Sequence, residues 1–130
     1  MPNERVLSFL GLARKAGAIE PGEDNVRAAC RDKKAKLVIL AGDASPNAED
    51  RAASSAAASG TVLIKVPYTK DELAAALGTV GCSMIAVTDP GFAKETINKL
   101  AEVYPGRYDE AAAAAAKLSA AVTAKNKRRK

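Results

Sequence analysis

Residues 36–66 read KLVILAGDASPNAEDRAASSAAASGTVLIKV, and the two short runs at their ends decide the architecture. Lys36 to Ala41 is a nearly continuous apolar segment of strand length with turn-like flanks, the pattern of a strand buried on both faces. Thr61 to Val66 is another strand. Between them Ser45 is placed to cap a helix, with Pro46 at the first helical position, where its missing N–H costs nothing. Glu49 and Asp50 fall where the helix dipole favours negative charge, and Gly60 supplies the stop. The stretch is therefore strand, helix, strand.

The same alternation continues in both directions. Upstream, Val6, Phe9, Leu10 and Ala13 share one face of a helix from about Glu4 to Gly17. Ala18 to Glu20 is a short strand before Pro21-Gly22, and a second helix runs from about Glu23 to Asp32 with Val26, Ala29 and Cys30 pointing inward. Downstream, Thr69 and Glu72 form a capping box that opens a helix closed by Gly78. Ser83 to Thr88 is a further strand. Asp89-Pro90 repeats the cap-plus-proline device before a helix ending near Val103, and Pro105-Gly106 breaks it. Three apolar strands joined by helical crossovers predict a mainly parallel sheet covered on both faces. With the short Ile19 strand added at an edge, the reading is a three-layer α/β/α sandwich on a four-stranded mixed sheet. Residues 1–106 form that domain. Residues 107–130, with six consecutive alanines from Ala111 to Ala116, read as an Ala-rich helical extension and a basic tail.

A chain of 130 residues has room for one core. With two Phe, three Tyr and no Trp, that core must be built from small and aliphatic side chains. No run is long and apolar enough for a transmembrane helix, and the first residues, MPNERVLSFLGLARK, lack the layout of a secretion signal. Histidine is absent, which excludes histidine acid–base chemistry, Ser–His triads and His-ligated zinc. Cys30 and Cys82 form no C-x-x-C pair, so neither a disulfide framework nor a four-Cys metal site is expected, and a reducing cytoplasm is the simplest home. No cofactor or small-molecule substrate is implied.

The net charge is +5, and the final six residues, KNKRRK, carry five positive charges and no acid. The rest of the chain is neutral overall but uneven. Residues 14–36 hold Arg14, Lys15, Arg27, Arg31, Lys33, Lys34 and Lys36 against four acids. A neutral body with a basic edge and a basic tail points to a polyanionic partner.

Catalytic signatures are lacking. Asp43 follows a buried strand as a phosphoacceptor does, but no acidic pair follows the first strand and no matching lysine comes late in the sheet; it reads as a loop Asp bonded to nearby amides. Neither a Walker-type nor a dinucleotide-type glycine loop occurs. The carboxylate pairs Glu49-Asp50 and Asp71-Glu72 sit in first turns of helices, where the dipole accounts for them.

The segment Gly22–Lys36 differs. Pro21-Gly22 delivers the chain to a helix N-terminus, whose exposed backbone N–H groups favour a phosphate. Glu23, Asp24 and Asn25 put polar side chains on its first turn. Arg27, Arg31 and Lys34 follow at i, i+4 and i+7 as one basic stripe, with Lys36 just beyond. This arrangement suits a helix end laid against nucleic acid, polar side chains at base edges and cations along phosphates. A solvated amphipathic helix, with Glu23 paired to Arg27, is the plainer alternative.

GLARKAG, PGEDNVRAACR, KAKLVILAGDASPN, TKDELAAALG and IAVTDPGFA, in that order across residues 8–100, resemble the L7Ae/L30e superfamily of ribosomal-protein-like RNA binders, in its bacterial YlxQ-like branch. The resemblance covers about three quarters of the chain. It implies an α/β/α sandwich without catalytic activity that binds kink-turn or similar structured RNA. Members of the family read tandem sheared G·A pairs with a G-x-N-E-x-x-K pattern at the second helix and cover a flipped-out nucleotide with a loop before the last strand. The glycine falls on Gly22, the Asn on Asp24, the Glu on Asn25 and the Lys on Ala28. The loop falls on Gly78 to Ser83, including Thr79, Val80 and Gly81. Asp24 cannot donate at neutral pH and Ala28 has no polar group, whereas Asn25 both donates and accepts. Val80 is suited to pack on an extruded base, and Gly81 permits close backbone approach. The expected RNA face is thus Lys15, Gly22, Glu23, Asp24, Asn25, Arg27, Arg31, Lys34, Lys36, Thr79, Val80 and Gly81, on a cytoplasmic monomer with no membrane association. The alternative is a protein-interaction adaptor of the ribosome or transcription machinery, docking through the same helix.

Overall fold

The computed structural model describes residues 2–79 and 83–113. Val80, Gly81 and the tail KNKRRK lie outside the described residues. Helices α1 (Pro2–Lys15), α2 (Glu23–Arg31), α3 (Pro46–Ser59), α4 (Lys70–Leu77) and α5 (Pro90–Val103) alternate with strands β1 (Ile19–Pro21), β2 (Leu37–Leu40), β3 (Val62–Lys65) and β4 (Met84–Val87).

The two inner strands explain the layering. Every residue of β2 and β4 is buried. Side chains alternate across a strand, so each run serves two faces. Leu37, Ile39, Ile85 and Val87 meet Val6, Leu10 and Ala13 of α1, Leu73 and Leu77 of α4, and Ile97 and Leu100 of α5. On the other face Val38, Leu40, Met84 and Ala86 meet Val26, Ala29 and Cys30 of α2 with Ala52 and Ala56 of α3. The α/β/α sandwich follows, and the second layer is made of small side chains, as the composition requires.

The sheet order is β1-β4-β2-β3. Among neighbouring strands the parallel pair is β2 with β3; β4 runs antiparallel to both β1 and β2, so β1, β2 and β3 share one direction and β4 is reversed. The sheet is mixed, as expected; what differs from the mainly parallel reading is that β4 is reversed, so two of the three pairings are antiparallel. The cause is the β3–β4 connection, which starts and finishes at one end of the sheet. Val66 N–H donates to Leu40 O at 2.9 Å, Gly42 N–H to Tyr68 O at 2.8 Å, and Ala41 N–H to Ser83 O at 2.8 Å. α4 and its flanking loops leave the chain at the end of the sheet where β3 finished, so β4 enters there and runs the opposite way.

The terminators act as their chemistry dictates. Ser45 Oγ accepts from Ala48 N, Thr69 and Glu72 form the reciprocal capping box, and Asp89 Oδ2 accepts from Phe92 N at 2.9 Å. Asp43 Oδ1 accepts from Lys70 N at 2.8 Å, tying the loop after β2 to the start of α4. That bond gives Asp43 a structural role.

Beyond the Pro105-Gly106 break the chain stays on the body, with residues 109–113 helical. Tyr108 is buried in the main core and its hydroxyl donates to Lys65 O at 3.1 Å, while Ala111 and Ala112 pack against the same cluster. Burial, reinforced by the neighbouring Tyr104 phenol, pushes the Tyr68 hydroxyl well above the ordinary tyrosine pKa. Burial also raises Tyr108. Both rings therefore stay neutral at physiological pH.

Candidate nucleic-acid interface

The turn between β1 and α2 is built by three constraints. Pro21 ends β1 opposite Ile85. Gly22 N–H then donates to Met84 O at 3.0 Å, fixing the turn to the first residue of β4. Gly22 itself has φ 96° and ψ 154°, a combination essentially restricted to glycine. The residue before α2 has no side chain to cap the helix, so no side-chain acceptor covers the first-turn amides. Gly22 and Glu23 are half-buried and Asp24 and Asn25 exposed, so the turn faces solvent.

Asn25 Nδ2 donates to Pro21 O at 2.7 Å. The partner is a carbonyl, which only accepts, so the amide orientation is determined. Its Oδ1 and second N–H point away from that bond. Asp24 Oδ1 pairs with Arg27 Nη2 at 3.0 Å, with both side chains largely exposed. The guanidinium offsets the negative charge that Asp24 brings to the turn. Glu23 pairs with Arg51 of α3 at 3.2 Å, joining the two helices where α2 begins. The expected Glu23–Arg27 pair is thereby corrected. Arg27 takes the closer Asp24, and a long-range partner takes Glu23.

The basic stripe is also corrected. α2 ends at Arg31, Asp32 is its C-cap, and Lys33 turns left-handed with φ 62°. Lys34 is therefore beyond the helix, and the cations divide between two flanks. Arg27 and Arg31, with Lys33, line a groove of about 340 Å³ against Ser54, Ser55, Ala58 and Ser59 of α3. Lys34 and Lys36, again with Lys33, line a trough of about 640 Å³ that also touches Glu20, Asn25, Ala28 and Thr88. The trough runs from the first turn of α2 to the start of β2, where Lys36 N–H donates to Val87 O at 2.7 Å. Ala28 faces this trough, so Lys34 and Lys36 place cations on the side where α2 lacks one.

Thr79 follows the left-handed Gly78 at the end of α4, its N–H donating to Ala74 O at 2.9 Å. The segment it opens returns at Ser83, next to Met84 and thus next to Gly22. Lys15 stands in the other helical layer, lining a groove between α1 and α4 with Gly11, Leu12 and Glu72. The structure gathers Gly22, Glu23, Asp24 and Asn25 at one turn and Lys34 and Lys36 along its flank, while Lys15 stays apart. Sequence reasoning missed Arg51 and Lys33 as parts of this surface. No local signal marks the first, and nothing in DKKA announces a left-handed residue. Among the described residues, no three His, Cys, Asp or Glu side chains are grouped to hold a metal, and no helix is long and apolar enough to cross a membrane.

Comparison with known proteins completes the picture. The chain is 40% identical over 96 residues to the RNA-binding protein YlxQ of Bacillus subtilis, spanning 71% of this chain and 91% of that one. It is 28% identical over 93 residues to the RNA-binding protein YlxQ of Enterococcus faecium, spanning 72% and 88%. Among solved structures it is similar to a protein of unknown function from Bacillus halodurans, with a TM-score of 0.68, 27% identity and coverage of 73% of this chain and 95% of that one. A 15.5 kD RNA binding protein of Giardia lamblia shares the fold, with a TM-score of 0.57, 19% identity and coverage of 78% and 83%. The family model for ribosomal protein L7Ae/L30e/S12e/Gadd45 matches residues 4–97, most of the sandwich just described, and the chain belongs to that family, in its YlxQ-like branch.

Proposed function

We propose that this chain is a non-catalytic, monomeric, cytoplasmic RNA-binding protein that seats kink-turn or similarly structured RNA on the first turn of α2. The observation that carries the reading is the uncapped, solvent-facing turn at Gly22, hydrogen-bonded to Met84 beside the end of the 78–83 loop. Free first-turn amides attract a phosphate or a base acceptor. Asn25 Oδ1 supplies an acceptor for a guanine N–H. Glu23, Asp24 and Thr79 border the same surface, and the loop through Val80 and Gly81 would cover an unstacked base. Arg27, Arg31, Lys34 and Lys36 contribute affinity through phosphates without reading sequence. Lys15 is the outlying member. The names of the YlxQ relatives support an RNA partner.

Reversal of Arg27 and Arg31 to Glu tests the reading. Loss of two phosphate contacts should weaken binding of a kink-turn RNA by about 30-fold or more near physiological salt, and should lower the salt slope by roughly two. Unchanged affinity and slope would remove these residues from the face. A kink-turn duplex competing no better than a plain duplex would remove the structural specificity. Failure to bind any structured RNA would favour the adaptor reading.

A further inference from the structure

We infer that the groove between α2 and α3 is a second phosphate-binding site, so that the backbone of one bound RNA holds α2 on both flanks; the inference rests on the RNA reading above. Cys30 and Ala58 contribute an apolar floor to the groove, but the charges at its rim are of one sign, which those of the trough are not. One wall carries Arg27, Arg31 and Lys33, the other carries Ser54, Ser55 and Ser59, and no carboxylate lines it. The trough on the opposite flank mixes Lys33, Lys34 and Lys36 with Glu20 and Asp32. Ser59 Oγ is engaged by Ser55 O and Thr61 Oγ1, which leaves Ser54 and Ser55 to face the cations; cations and hydroxyl groups together match a phosphodiester, which accepts hydrogen bonds and carries charge. An acidic peptide would meet the same charges, but Arg27 ties the groove to the Gly22 turn: it lines the groove and pairs with Asp24 of that turn at 3.0 Å. RNA leaving that turn therefore has a path along the groove.

Lys33 provides the independent observation. It is the one non-glycine residue with positive φ among those described. Its N–H donates to Cys30 O at 3.1 Å, and Lys34 N–H donates to Ala29 O at 2.8 Å, the bonds that close a helix through a left-handed residue. At the corresponding places α3 and α4 use Gly60 and Gly78, with φ 67° and 69°. Glycine adopts this conformation freely and lysine does not. Closure of the helix alone would favour glycine, and Lys34 next to it already supplies a cation near the helix C-terminus. Lysine at 33 instead lines both grooves at the point where they meet. Strain kept at an exposed position signals a functional demand. The exposed Arg27–Asp24 and Arg31–Asp32 pairs hold the guanidinium groups only weakly, so a phosphate can compete for them.

The test uses the full chain, a kink-turn RNA hairpin as probe, and two readouts: melting temperature without RNA, and affinity as a function of salt. Lys33→Gly should raise the melting temperature by about 2–4 °C by relieving strain. It should also weaken RNA binding about five-fold and lower the salt slope by about one. Lys33→Asn should show the same binding loss, since Asn tolerates the left-handed conformation. Ser54→Asp, which puts a negative charge into the groove, should weaken binding by at least about five-fold. Ala57→Asp, exposed on the same helix but outside the groove lining, should change it less than about two-fold. A stabilised Lys33→Gly protein with unchanged affinity and slope, together with Ser54→Asp no weaker than Ala57→Asp, would overturn the second site and leave the Gly22 site standing. Displacement of polyglutamate, but not RNA, by Ser54→Asp would assign the groove to an acidic polypeptide and also overturn it. Wild-type protein that fails to bind the hairpin would overturn both readings.

Discussion

Replacing Gly22 by valine should cost about 2–3 kcal/mol of stability and reduce affinity for structured RNA at least about ten-fold. The cost is conformational. A Cβ at Gly22 would meet nothing within 4 Å, so steric conflict with neighbours is excluded as the cause. The backbone is the obstacle, because φ 96° with ψ 154° is closed to a β-branched residue. Relief requires rotating the Pro21–Glu23 segment, which breaks the Gly22–Met84 hydrogen bond or re-aims the first-turn amides. Either outcome displaces the turn from the first residue of β4. Urea unfolding and RNA titration of the same sample separate the two effects. A stable, fully binding Gly22→Val protein would show that the glycine conformation is dispensable.

Truncating Ile85 to alanine has the larger effect on folding. Ile85 is fully buried in β4, opposite Pro21 of β1 and Ile39 of β2. It belongs to the cluster that joins the sheet to α1, α4 and α5. β4 is paired on both edges and covered on both faces, so the cavity cannot close by local relaxation. The loss should be about 3–5 kcal/mol, a large share of the roughly 5–15 kcal/mol available to such a domain. The urea midpoint should fall by roughly 2 M. Leu12→Ala is the contrast. Leu12 is 57% exposed, and its truncation should stay within about 0.5 kcal/mol. Equal effects from the two variants would contradict the assigned core.

Most of the fold was legible because its local signals agree. Ser45-Pro46, Thr69 with Glu72, and Asp89-Pro90 each start a helix at the residue their chemistry predicts. The apolar runs became strands, β2 and β4 buried on both faces and β3 half-covered at the sheet edge. The direction of β4 was not legible. It depends on where α4 and its loops deposit the chain, which is a property of three dimensions rather than of any residue in the strand. The turn of the candidate site was legible at Gly22, because a glycine after Pro21 that precedes polar residues marks a helix start without a side-chain cap. Its flanks were not. A helical stripe assumes that the helix continues, and α2 stops through Lys33, a residue type that seldom takes a left-handed conformation. The Glu23–Arg51 bridge spans 28 positions, beyond any helical spacing rule. The family pattern aligns Asp24 and Ala28 with polar roles they cannot fill, and only the folded chain shows Arg27 offsetting the first and Lys34 and Lys36 flanking the second.

The most direct test follows backbone amide resonances of the isotopically labelled protein as a kink-turn RNA is added. The amides of Gly22, Glu23, Asp24 and Asn25 should shift most, joined by those of Arg31 to Lys36 and the segment from Thr79 to Met84, while α5 stays still. Resonances of the Gly22 turn that remain unmoved while RNA binds elsewhere on the chain would contradict the account.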